Sequence, residues 1–179
     1  MSRVRTIAIS TVLAVLALLA LPALSAAQEA AACQKGQSVR DVDRETGVVI
    51  QKTRLTPKPD SFDPLLVWTS DEPGSVMFVA MGNSAIEKYP TCYQLTVLAD
   101  GKTLTLGKVD HNSETGGSRT VEYVTSDLTV AEAQRLAAAK AVTFKICNDE
   151  FRVSDEFLCQ AREVLEAAAA WKKAPPAKK

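Results

Sequence analysis

CYQLTVLADGKTLTLGKV, residues 92–109, is a β-hairpin in sequence form. Apolar and polar side chains alternate on either side of Asp100-Gly101, and glycine accepts the positive φ that a two-residue type I′ turn requires. Counting outward from the turn pairs Val97 with Leu104 and Leu95 with Leu106 on one face, and Thr96 with Thr105 on the other. The Val/Leu face is expected to be core, because successive strand side chains point to opposite faces. Cys92 then falls on the Thr96 face, outside the apolar layer.

Similar short alternating runs flank this hairpin, which places the chain in a β-rich class. Strands are expected at Ser38–Val42 and Val48–Leu55, joined through Arg44–Gly47, then at Leu65–Thr69, Val76–Met81 and Arg119–Thr125. Val76–Met81 is apolar on both faces and reads as a central strand covered on each side. Met77 and Met81 are packing residues in this reading, not metal ligands. In Arg119–Thr125, Val121 and Tyr123 are expected to point inward and Glu122 outward. In VTFKIC, Val142, Phe144 and Ile146 share the inner face, with Lys145 and Cys147 opposite.

Two helices follow at the C-terminal end. Thr129 with Glu132 three positions on forms a capping box, Leu128 can staple onto Ala133, and the helix should run to about Lys140. Ser154 caps the second, with Asp155 and Glu156 in the first turn where the helix dipole favours negative charge. Phe157, Leu158, Ala161, Val164, Leu165 and Ala168 form its apolar stripe, and Cys159 lies almost opposite the stripe's centre. The expected architecture is therefore α+β and β-rich: seven or eight mostly antiparallel strands in a β-sandwich or curved sheet, with two helices near the C-terminus.

Ahead of this domain, Arg3 and Arg5 precede an apolar run from Ile7 to Leu21 and the small residues Ser25, Ala26 and Ala27. That is the pattern of a secretory signal peptide over residues 1–27, cleaved so that Gln28 begins the mature protein. The run of about 15 apolar residues falls short of the roughly 20 that a spanning helix needs. Lipidation at Cys33 is disfavoured, since Ala30–Ala32 include no leucine and Glu29 interrupts the apolar stretch. Residues 28–170 are then one disulfide-bonded domain, and 171–179, WKKAPPAKK, a basic tail expected to be disordered. The absence of any N-x-S/T sequon and the style of the leader suggest a bacterial source.

The chain carries 21 basic and 21 acidic residues, so nothing in it resembles the concentrated positive surface that nucleic acid requires. The tail lysines Lys172, Lys173, Lys178 and Lys179 offer a weak contact with an anionic envelope surface. All four cysteines, Cys33, Cys92, Cys147 and Cys159, follow the leader, and an even count in an exported chain reads as two disulfides. Of three possible connectivities, Cys147 with Cys159 is favoured, since Cys147 is the nearest candidate to Cys159 in sequence and Phe151–Val153 leave room to turn back, which leaves Cys33 with Cys92.

Few residues point to chemistry. His111 is the only histidine, which excludes mechanisms that need two, including HExxH zinc sites. It sits in a polar stretch expected to be a surface loop, with Asp110, Asn112, Ser113, Glu114 and Ser118 around it. A Ser-His-acid set can be drawn there, but neighbours so close in sequence rarely supply triad geometry and no GxSxG elbow is present. Asp41, Asp43 and Glu45 alternate as in a calcium loop, yet Thr46 stands where glycine is required and Lys52 where a bidentate glutamate belongs. Asp149, Glu150, Asp155 and Glu156 are explained by turn and cap chemistry, although a carboxylate pair can also serve a glycosidase. No cofactor motif and no metal ligand set is read.

These observations favour an exported, non-catalytic binding or accessory protein of the bacterial cell envelope. Its partner is expected to be another envelope or secreted protein, met through exposed strand edges or a binding loop of Asp110, His111, Asn112, Glu114 and Ser118. The alternatives are an inhibitor of a secreted lysozyme or protease, and a hydrolase using His111 or a carboxylate pair.

Overall fold

The computed structural model describes residues 37–55, 58 and 60–171, all within one compact unit. The expected leader at 1–27 with its cleavage point, Cys33 and the tail lysines at 172, 173, 178 and 179 lie outside the described residues. In chain order the elements are β1 (Val39–Val42), β2 (Val49–Lys52), β3 (Phe62–Thr69), β4 (Ser75–Ser84), β5 (Leu95–Ala99), β6 (Lys102–Thr103), β7 (Val109–Gly116) and β8 (Arg119–Thr129). Helix α1 (Val130–Ala138), β9 (Val142–Ile146), β10 (Asp149–Arg152) and α2 (Asp155–Trp171) complete them. They build a six-stranded sheet ordered β1-β2-β3-β4-β8-β7 and a four-stranded sheet ordered β10-β9-β5-β6. Every pairing is antiparallel. The fold class is thus β-rich α+β with two helices toward the C-terminal end. The ten strands among the described residues exceed the seven or eight expected, because β7 is polar and β10 is short, and neither shows clear alternation.

The Asp100-Gly101 turn has φ of 49° and 74°, as a type I′ turn needs. The ladder continues through Leu98–Thr103 and a bond from the Leu104 N–H to the Val97 carbonyl, with Val97 and Leu104 both in the core. There the hairpin opens. The Gly107 N–H donates to the Asp127 carbonyl at 2.7 Å, which carries the second arm into the six-stranded sheet. The expected pairs of Leu95 with Leu106 and of Thr96 with Thr105 therefore do not form, while the other edge of β5 pairs along its length with β9. The Asp100 carboxylate accepts the Lys140 and Ala141 N–H groups at 3.0 Å each, so the turn also fastens the connection from α1 to β9.

Aromatic rings join the two sheets. Phe78 of β4 meets Phe144 of β9 at 5.7 Å, Phe144 stacks on its cross-strand partner Phe151 at 5.0 Å, and Phe151 meets Phe62 of β3 at 5.6 Å. Such pairs add about 0.5–1.5 kcal/mol each beyond the area they bury. Phe62 lies across Gly82, its register partner on β4, so a Cβ there would fall 2.4–2.7 Å from three atoms of the ring. The ring cannot swing aside, because Tyr89 and Phe151 hold its other faces at 5.2 and 5.6 Å. Gly82→Ala is therefore expected to destabilise the protein by about 1–3 kcal/mol through overpacking, measured as a lower urea midpoint with an unchanged slope.

Both helices start at the expected caps. Thr129 Oγ1 accepts the Glu132 N–H at 3.2 Å, and Ser154 Oγ accepts the Phe157 N–H at 3.2 Å. The Glu132 carboxylate, expected to complete a capping box, instead binds Arg135 at 2.8–2.9 Å. The whole predicted stripe of α2 is buried, and so are Cys159 and Gln160 on its other side. Gln160 is satisfied there by the Arg54 N–H and by Glu156.

Four expectations are corrected by packing. The Asp110–Ser118 segment is not a loop: residues 109–116 form edge strand β7, and only its end turns, at Gly117 with φ 63°. In β8 the phase is opposite to the one read from Val121 and Tyr123; Thr120, Glu122, Val124, Ser126 and Leu128 point inward and are buried. A one-residue change of phase exchanges the two faces of a strand, and the long run to Leu128 outweighs the short one to Thr125. β4 is central but not covered throughout, since Met77 is 37% exposed. Finally, Cys92 bonds to Cys147, which excludes the pairing of Cys147 with Cys159 and of Cys33 with Cys92. Cys147 is not a strand residue but the first position of the β9–β10 turn, with φ 58°, and its N–H donates to the Gln94 carbonyl at 3.1 Å. That bond brings it beside Cys92. Cys159 is also disulfide-bonded.

Candidate functional site around His111 and Glu122

Residues 85–94 run from the end of β4 to the start of β5 and fasten the two sheets to each other. The Tyr89 ring packs on Phe62, its hydroxyl donates to the Asp149 carboxylate of β10, and Cys92 is tied to the β9–β10 turn. The strongest anchor is Glu122. Its side chain is fully buried; Oε2 accepts the Lys88 N–H at 2.8 Å and Oε1 accepts the Tyr89 N–H at 3.0 Å. A buried carboxylate is tolerated only where its oxygens find such donors.

His111 supplies the third partner, its Nε2 lying 3.3 Å from Glu122 Oε1. The β7–β8 register explains the meeting: Ser113 faces Glu122 and His111 faces Val124, so His111 and Glu122 are diagonal neighbours on the inner face. Glu87 reaches the same imidazole from segment 85–94, with Oε1 4.0 Å from Nε2. Tyr93 covers the ring edge-on, centroids 5.6 Å apart at 70°. The His111 side chain is 4% exposed, whereas that of Glu87 is 35% exposed, so the cluster is closed on one side and open through Glu87.

Burial, reinforced by the adjacent Asp149 carboxylate, pushes the Tyr89 phenol far above the ordinary tyrosine range. The folded protein therefore holds this proton more tightly than the unfolded chain. The associated stability is complete below about pH 10, the unfolded tyrosine value, and is lost as pH rises above it. Melting temperature is expected to fall more steeply above pH about 10 in the wild type than in Tyr89→Phe, which lacks the titrating group.

The structure separates the residues read as a binding loop. His111 turns inward, while Asp110, Asn112 and Glu114 point to the opposite, exposed face and Ser118 sits in the exposed turn. Lys108 pairs with Asp110 on the surface. The Ser-His-acid set does not assemble: among the described residues the polar partners of His111 are Glu122 and Glu87, and no serine hydroxyl bonds to it. The other acidic candidates are also occupied elsewhere. Asp149 takes the Tyr89 hydroxyl, and Glu150 pairs across the strand with Lys145 at 2.8 Å. Asp43 accepts the Glu45 and Thr46 N–H groups at 2.9 Å, bonds that hold its carboxyl below the usual carboxylate range, with Thr46 contributing most. Those bonds make it a turn residue and leave the calcium reading without support.

Glu87 and Glu122 are the residues that sequence reasoning missed. The available signal was the even-numbered phase of β8, in which Glu122 shares a face with Val124 and Leu128. Elsewhere a cleft of 200 Å³ beside the start of α2 is lined by Arg54, Lys58 and Arg152 but equally by Asp63 and Glu156. A shallow groove of 370 Å³ between α1 and α2 is lined mainly by alanine and by Leu165. Among the described residues no helix is long and apolar enough to cross a membrane. No protein-family profile matches this chain, and no curated protein matches it in sequence.

Proposed function

We propose that this is an exported, non-catalytic binding protein of the bacterial cell envelope that takes an extended segment of a partner protein along β7. One observation carries the reading. β7 ends the six-stranded sheet with one edge unpaired among the described residues, and beside it segment 85–94 presents Ile86 and Tyr93, 74% and 57% exposed. An open strand edge offers a row of backbone donors and acceptors to an added strand, and flanking apolar side chains supply the contact area. The leader pattern and the Cys92–Cys147 bond support a destination outside the cytosol. The four lysines of the tail add a weak attraction to an anionic surface.

A photo-crosslinking amino acid at Asn112 of β7, in cells expressing the full chain, is expected to give a discrete protein adduct. The same group at Val42 on β1, the opposite edge of the sheet, should not. Ile86→Asp with Tyr93→Ala should abolish the adduct. Equal labelling from both edges, or none from β7, would exclude this docking strand. N-terminal sequencing of the envelope-fraction protein is expected to begin at Gln28.

A further inference from the structure

We infer that Glu87, His111 and Glu122 form a three-ligand site for a divalent transition-metal ion, best suited to Zn²⁺. This goes beyond the docking role of β7 and does not depend on it. Each residue offers one ligand atom, and these atoms all lie within 4.8 Å of one another. Zinc bonds of about 2.0–2.1 Å to nitrogen and about 2.0–2.2 Å to oxygen set a tetrahedral edge of about 3.3–3.5 Å. The 3.3 Å between His111 Nε2 and Glu122 Oε1 already has that length. The 4.0 Å from Nε2 to Glu87 Oε1 is longer, but it belongs to the one partly exposed side chain of the three, whose side-chain torsions can shorten it.

The surroundings resemble a metal site more than a simple ion pair. Each Glu122 oxygen accepts one backbone N–H, which fixes the carboxylate plane and leaves Oε1 a second lone pair directed toward Nε2. Segment 85–94 is held by Glu122, by the Tyr89 hydroxyl on Asp149 and by the Cys92–Cys147 bond, none of which involves His111 or Glu87. Glu87 nonetheless converges with Glu122 on the same imidazole nitrogen, at 4.0 and 3.3 Å. One imidazole and two carboxylates suit zinc and neighbouring first-row ions over calcium, which takes six to eight oxygens. The exposed side at Glu87 leaves a fourth position for water or for a donor from a bound partner.

The test is titration of tag-free, chelator-treated full chain with Co²⁺, read by visible d–d absorption, followed by displacement with Zn²⁺. One equivalent of tetrahedral Co²⁺, released by one equivalent of Zn²⁺, is expected. Glu87→Gln should weaken binding at least about tenfold while leaving the circular dichroism and the melting temperature of the metal-free protein unchanged. His111→Gln should abolish the spectrum. Absence of the d–d bands in wild type overturns the site and leaves an imidazole set between two carboxylates. Bands that persist in both variants overturn it equally, by placing the metal elsewhere.

Discussion

Serine at both Cys92 and Cys147 is expected to lower the folding free energy by about 4 kcal/mol, the chain-entropy value for a bridge closing 55 residues. The bridge ties segment 85–94 to the β9–β10 turn, and so joins the connection leaving the larger sheet to the end of the smaller one. Its loss frees the unfolded chain and also removes the covalent support of Cys147, whose left-handed backbone is otherwise held by the Gln94 carbonyl. With an m-value of about 2 kcal/mol/M the urea midpoint should drop by about 2 M. The double variant is the informative one, because a single substitution leaves a thiol free to exchange. Peptide mapping without reduction should return a Cys92–Cys147 peptide. A Cys147–Cys159 peptide would contradict the fold described here.

Glu122→Ala is expected to cost about 2–6 kcal/mol, about 1–3 kcal/mol for each of the two backbone N–H groups left without an acceptor. The Lys88 and Tyr89 N–H groups lose their acceptor and His111 loses its nearer carboxylate, with Tyr89 itself buried. Glu122→Gln should retain little of this stability. A carboxamide has one oxygen, so its NH₂ must face one of the two backbone donors. Hydrogen exchange identifies the mechanism: the amides of residues 88 and 89 should lose protection in both variants, while those of β5 and β9 remain protected to the extent that global stability allows. Equal loss of protection throughout would show that Glu122 supports the fold generally and does not hold this segment specifically.

Sequence alone disclosed the features governed by local chemistry. The Asp100-Gly101 turn, the caps at Thr129 and Ser154, the stripe of α2 and the inner face of Val142, Phe144 and Ile146 all depend on residues within a few positions of one another. The features that depend on distant partners were hidden. The phase of β8 depends on donors at Lys88 and Tyr89, since without them a glutamate belongs on the wet face. β7 reads as a loop because VDHNSETG has only one apolar residue, and its strand geometry is imposed by eight paired positions on β8. The cystine pairing was misjudged for a similar reason: proximity in sequence favoured Cys159, whereas the Cys147 N–H bond to Gln94 brings Cys92 alongside. The candidate metal site combines both difficulties, since it needs the correct phase of β8 and a segment that folds back from β4.

The order in which the larger sheet is assembled bears on how this polypeptide can mature. β4 pairs with β3 on one side but obtains its other neighbour only when β8 arrives, with Ser84 waiting for Thr120 and Ser75 for Thr129. At ribosomal speeds of about 5–20 residues per second, that gap lasts roughly 2–11 s. During this interval Val76, Phe78 and Ala80 have no lid and the strand beside them is sticky along its full length. A nascent molecule therefore passes through a stage suited to capture by a holdase, and crowding at that stage favours intermolecular pairing between β4 of one copy and β8 of another.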